Sequence, residues 1–236
     1  MWTIPVPDID RTDFLLVLGA NPQASQGSLL AAADVCGRLR EIGRRGGRVV
    51  VVDPRRTGTA EVADEWLPIR PGTDAAFLMA MVNVLVAENR ISLGALAGKV
   101  NGLSDLITLC RPFTPEAVSA SCGIPAQRIR ELARELAGAE RAAVYGRIGT
   151  CTQEFGTLAS WLVEVLNILT GNLDREGGSM FANPAAWSLV SLPNPEFADG
   201  FEFGRFRSRV RGAPEVLGQF PVSCLAEEIA LSLIHI

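Results

Sequence analysis

Four short segments carry the residues whose types and spacing suit ligand chemistry. Asp53 closes the apolar run Val49–Val52 and is followed by Arg55, Arg56 and Thr57. A carboxylate at a strand end is placed to accept hydrogen bonds from a ribose hydroxyl pair, and guanidiniums beside it suit phosphate. Pro71-Gly72-Thr73-Asp74 opens a long apolar stretch. A carboxylate there lies at a helix N-terminus, where the dipole favours negative charge, and can accept two hydrogen bonds from the N1–H and exocyclic amine of guanine. Gly19-Ala-Asn21-Pro22 follows another apolar run, with Asn21 and Ser25 as further donors. Gly146-Arg-Ile-Gly149-Thr-Cys-Thr152-Gln153 is a second glycine-rich stretch, with backbone N–H groups, hydroxyls and an amide to offer. Each segment also has a plainer reading: a strand-to-loop turn, an Asp bonding its own turn beside solvated arginines, or an ordinary acidic helix start.

The elements that must position these segments can be read from periodicity. Asp13–Leu18 and Val49–Val52 are buried strands joined by a helix over residues 28–45, with Leu29, Ala32, Ala33, Cys36, Leu39 and Ile42 on its apolar face and Gly46-Gly47 ending it. This is a βαβ unit. Glu65–Arg70 is a third strand, and Pro68 argues for an edge or irregular position. Thr73 N-caps a helix to Glu88 with Phe77, Met81 and Leu85 on one face. Ile124–Gly138 is a helix, Ala142–Tyr145 a strand, and Leu158, Trp161, Leu162, Val165 and Leu169 mark a helix closed by Gly171-Asn172. The expected fold is α/β, a Rossmann-like parallel sheet flanked by helices over residues 8–178. Residues 179–236 are expected to form a linker and the start of an incomplete second region.

Composition excludes several classes. With 48% hydrophobic and 20% charged residues, the 236-residue chain can bury a core. A net charge of −4 gives no reason to expect nucleic acid. No stretch reaches the roughly 20 apolar residues of a membrane span, and no signal peptide opens the chain, so a cytoplasmic location is expected. The five cysteines are dispersed without a Cys-x-x-Cys pair, and His235 is the one histidine. A self-contained metal site is therefore not expected, and the cysteines read as small buried hydrophobes. Gly-x-Gly-x-x-Gly is absent, which argues against a nicotinamide-dependent dehydrogenase.

Taken in order, Leu18–Pro22, Val52–Thr57, Ile69–Asp74, Gly146–Gln153 and Leu169-Thr-Gly-Asn-Leu-Asp-Arg-Glu-Gly-Gly178 resemble the molybdopterin oxidoreductase family. The resemblance covers roughly residues 8–185. It implies a domain that holds one molybdopterin guanine dinucleotide in a molybdenum enzyme of two-electron redox or oxygen-atom transfer. It implies Gly19, Asn21 and Pro22 at the pyrophosphate, Asp53, Arg55 and Thr57 at the guanosine ribose and phosphate, and Gly72, Thr73 and Asp74 at the guanine. Gly149, Thr152 and Gln153 would face the pterin side. The family's molybdenum ligand and its [4Fe–4S] segment have no counterpart upstream of Asp13. No residue is therefore assigned to catalysis or to metal, and the chain is expected to be an internal piece of a longer enzyme. The expected partners are the enzyme's other segments and an electron-transfer subunit or carrier. Ser179–Trp187 lacks the arginine of the formate dehydrogenase pattern. The uncapped apolar end, Ile229–Ile236, reads as truncated or non-native. A stand-alone guanine-nucleotide or cofactor-binding module is the alternative.

Overall fold

A computed structural model describes residues 4–26, 30, 32–181, 204, 206–215 and 220–230. The chain divides into two compact units, Thr3–Asn183 and a smaller one made of Pro184–Ile236 with the first two residues. The apolar end from 231 onward, Leu29, and the stretch that holds Trp187, Phe201 and Phe203 lie outside the described residues.

In the larger unit, β2 (Phe14–Leu18), β3 (Arg48–Val52), β4 (Glu65–Leu67) and β5 (Ala142–Gly146) form one parallel sheet in the order β4-β3-β2-β5. All five residues of β2 are buried, as expected of a central parallel strand covered on both faces. The two-residue period of a strand divides the core in two. Leu16, Leu18, Val50, Val52 and Val144 meet one set of helices, and Leu15, Val17, Val49, Val51 and Tyr145 meet the other. The first layer is built by α4 (Asp74–Ala87), α5 (Leu103–Leu109), α6 (Pro115–Cys122), α7 (Ala126–Gly138) and α9 (Gly156–Leu169). The second is built by α2 (Val35–Arg44) and α3 (Gly58–Val62). An antiparallel ribbon of β1 (Pro5–Pro7) and β6 (Ser179–Phe181) completes the unit.

Several expectations are modified. The helix expected from 28 begins at Val35. Asp34, left-handed at φ 47°, accepts a hydrogen bond from the Gly37 N–H and so caps it there, leaving Ala32 and Ala33 outside. Its buried residues are Val35, Leu39 and Ile42. The third strand ends at Leu67, on the sheet edge. In α9, Leu158 and Trp161 are exposed, and the buried face runs through Leu162, Val165, Leu166 and Leu169. The loop read at Gly146–Gln153 contains a helical turn, α8 (Ile148–Cys151). Helices α5 and α6 were not expected. Helix α6 packs with α7 and α9 around α4, and this is why α4 is buried on nearly every side rather than along the single stripe Phe77, Met81 and Leu85. Cys110, Cys122 and Cys224 are buried; Cys36 is half-buried and Cys151 exposed.

The outer edge of β5 is sealed by side chains. Asn167 accepts from the Val144 N–H at 2.9 Å and donates to the Val144 carbonyl at 3.0 Å, and Asn172 accepts from the Ala142 N–H at 3.1 Å. Both amides are buried and stand in for the peptide groups of a missing strand.

Candidate functional site

The carboxyl ends of β2, β3 and β5 are level, with Leu18 opposite both Val52 and Gly146. The chain steps from β2 to β3 and β4 on one side and returns to β5 on the other. The crevice between β2 and β5 is therefore the topological switch point, where open parallel sheets bind ligands. A cavity of about 280 Å³ lies there, lined by Ala20, Asn21, Pro22, Ser25, Tyr145 and Arg147, among others. That volume is just below the range of whole-ligand pockets, enough for a fragment such as a diphosphate.

Two glycines make the crevice. Gly19 has φ +53°, and a Cβ on it would lie 2.8 Å from the Gly149 carbonyl carbon; one on Gly149 would lie 2.8 Å from the Gly19 Cα. The Gly149 N–H donates to the Gly19 carbonyl at 2.9 Å. The first and last strand-end loops thus touch backbone to backbone, which any side chain would prevent. Asn21 turns toward α3: its Oδ1 accepts from the Thr59 hydroxyl at 2.8 Å, and that hydroxyl accepts from the Gln23 N–H. Pro22 is buried at the start of α1 (Pro22–Ser25).

On the β3 side, Asp53 Oδ1 accepts from the Arg55 N–H at 2.8 Å, and the Asp53 carbonyl accepts from the Trp66 indole at 2.8 Å. Arg55 is exposed, while Arg56 lies over the Trp66 ring at 6.0 Å. Thr57 is buried, and its hydroxyl caps α3 by accepting from the Ala60 N–H at 3.3 Å, so its oxygen serves the turn. Thr73 takes the N-cap position of α4, but its hydroxyl donates to the Arg70 carbonyl at 2.7 Å and makes no side-chain cap. Thr152 is exposed, and its hydroxyl donates to the Ile148 carbonyl.

Asp74 is the buried charge of the site, 5% exposed at the first position of α4. Burial pushes its carboxyl above the ordinary range; the Gln153 amide and its own backbone N–H oppose that, and the nearby Asp53 carboxylate reinforces it. Gln153 Nε2 donates to Asp74 Oδ2 at 2.8 Å and lies near the carbonyls of Thr150 at 3.2 Å and Gly149 at 3.3 Å. Three acceptors around Nε2 assign the amide orientation. Gln153 Oε1 is buried with no hydrogen-bond partner, and it is the atom nearest a Cβ built on Gly72, at 3.9 Å, where φ is +83°.

The structure therefore gathers Gly19, Asn21, Pro22 and Gly149 at the crevice, and Asp74, Gln153 and Gly72 beside it with Asp53 close by. It turns the hydroxyls of Thr57, Thr73 and Thr152 to local backbone groups. The sequence reading did not single out Tyr145, Arg147 or Ile148 as cavity walls. Their signal was position: each lies at or just past the end of a parallel strand. A second, smaller cavity of about 130 Å³ lies along β5, lined by Tyr145, Cys151, Ser160, Val163, Glu164 and Ser179, among others. The smaller unit has its own apolar cavity of about 710 Å³, which contains none of the expected site residues. Among the described residues no three His, Cys, Asp or Glu side chains gather as a metal site, and no helix is long and apolar enough to cross a membrane.

Comparison with known proteins gives a consistent result. The chain is 33% identical over 200 residues to the F420-dependent formate dehydrogenase subunit alpha of Methanocaldococcus jannaschii, covering 81% of this chain and 28% of that protein. It is 31% identical over 211 residues to the dimethyl sulfoxide reductase DmsA of Escherichia coli, covering 80% and 26%. Among solved structures, the acetylene hydratase from Pelobacter acetylenicus superposes with a TM-score of 0.63 at 26% identity, over 72% of this chain and 23% of that one. The chain thus spans about a quarter of the length of these relatives. The family model described as molybdopterin oxidoreductase matches residues 1–213, and the chain belongs to that family.

Proposed function

We propose that this chain holds the guanosine and diphosphate part of a molybdopterin guanine dinucleotide within a molybdenum-dependent oxidoreductase. The observation that carries the reading is Asp74, a buried carboxylate at a helix N-terminus next to a buried amide oxygen that lacks a partner. An acceptor-rich, desolvated pair suits the N1–H and amine donors of guanine and suits neither adenine nor cytosine in the same way. Gly19, Asn21, Pro22 and Gly149 would hold the diphosphate in the crevice, with Arg55 in reach of its charge. Asp53 would accept from the ribose hydroxyls. Gly72 leaves room beside Gln153 Oε1 for the base to approach. The bound cofactor supplies two-electron redox or oxygen-atom transfer, and these residues bind and orient it.

The relatives' names span formate dehydrogenation, sulfoxide reduction and acetylene hydration. A segment shared by proteins of such different reactions suits the anchoring role proposed, with the choice of reaction left to other parts of the protein. The rest of the enzyme would supply the molybdenum ligand, a [4Fe–4S] cluster and contacts to an electron-transfer partner.

The test is calorimetric titration of GDP, ADP and CDP against the purified chain. GDP should bind best, and Asp74→Ala should remove most of that preference, roughly tenfold or more for a lost charge-assisted pair. Equal affinity for the three nucleotides would overturn the reading.

A further inference from the structure

The hydrogen bond between Gln153 and Asp74 joins residues 79 positions apart, from the two segments that the family resemblance assigned to opposite ends of the cofactor. Gln153 follows α8 on the β5 side, and Asp74 begins α4 after β4. The Asp74 carboxylate is buried, so its geometry and ionisation depend on its few neighbours. The titratable neighbour that acts on it is Asp53, at the end of β3, whose charge disfavours ionisation. Arg70, in the preceding turn, is directed to the Ala120 carbonyl at 2.8 Å. The side-chain donor to the carboxylate is Gln153 Nε2, held in place by the Thr150 and Gly149 carbonyls.

We propose that Gln153 is a positioning residue: it holds the Asp74 carboxylate in the ionised, fixed orientation that base recognition needs, and it ties that recognition to the loop after β5. The proposal rests on the guanine-binding reading above. An ionised carboxylate accepts both guanine donors, whereas a protonated one has lost an acceptor and gained a competing donor. A donor fixed on Oδ2, together with the backbone N–H, favours the ionised form and leaves the remaining carboxylate lone pairs for the base.

The test is the pH dependence of GDP binding to the purified chain, together with the carboxyl ¹³C titration of Asp74, assigned by its loss in Asp74→Asn. Relative to wild type, Gln153→Leu should move the Asp74 titration to higher pH and weaken GDP binding by roughly tenfold within the pH range of that titration, with the two proteins converging once Asp74 is fully ionised in both. Gln153→Glu should move the titration further, because adjacent carboxyls share a proton. Superimposable Asp74 titrations in wild type and Gln153→Leu would overturn the proposal. If that happened while Asp74→Asn still lost GDP binding, the guanine reading would survive its failure. Unchanged GDP binding in Asp74→Asn would instead defeat the guanine reading, and this proposal with it. Melting curves of each variant report whether the fold is retained.

Discussion

At the scale of single residues, the site depends on where a side chain is absent as much as on where one is charged. Gly19 and Gly149 let two loops meet, and Asp74 and Gln153 pair beside them. The glycines were legible because each follows an apolar run, but their mutual contact was not. Glu164 shows the opposite limit. In sequence it is one acid on an apolar helix; in the fold it faces the small cavity along β5, and burial pushes its carboxyl up to about 7 from an ordinary 4.5, with a hydrogen bond from Asn167 only partly opposing that. The folded state therefore holds a proton that the unfolded chain has released. Stability should fall as pH rises from about 4.5 to about 7 and level off above that. Glu164→Gln should remove this decline and stabilise the protein at about pH 8 by on the order of 2 kcal/mol, after discounting for partial exposure. Denaturant melts at about pH 5 and pH 8 measure it, and an equal pH slope in the variant would contradict the assignment.

At the scale of elements, a parallel sheet needs both faces and both edges covered. The faces were legible, since the runs Phe14–Leu18 and Val49–Val52 alternate into two buried sets. The edge was not, because Asn167 lies within an apolar helix and its amide has meaning only once β5 is beside it. Asn167→Leu would leave the Val144 N–H and carbonyl buried and unpaired, at a cost of about 3 kcal/mol. The expected readout is a melting temperature lower by roughly 10 °C. A drop of only a degree or two would show that water replaces the amide.

At the scale of the molecule, the two ends of the sheet do different work. At the amino end, Arg128 binds Glu65 at 2.7 Å, Glu135 at 2.8 Å and Glu131 at 3.1 Å, and Arg48 joins Glu65 and Glu135, tying β3, β4 and α7 together. At the carboxyl end, the loops keep acceptors and backbone groups for a ligand. Arg128→Met should therefore cost about 1–2 kcal/mol, less at high salt, and leave GDP affinity unchanged. A matching loss of affinity would mean that the two ends are coupled. Of this arrangement, the sequence alone determined the four parallel strands and the helices α2, α4, α7 and α9 among them, because strand periodicity and helix stops are local properties of the chain. The tertiary structure decided which side chains meet. Gln153 finds Asp74 across 79 residues and Asn167 finds Val144 across 23, and it also turned the hydroxyls of Thr57 and Thr73 to nearby backbone groups. Such pairings depend on how strands and helices stack in space, and a pattern of apolar and polar positions along one segment carries no record of its neighbour.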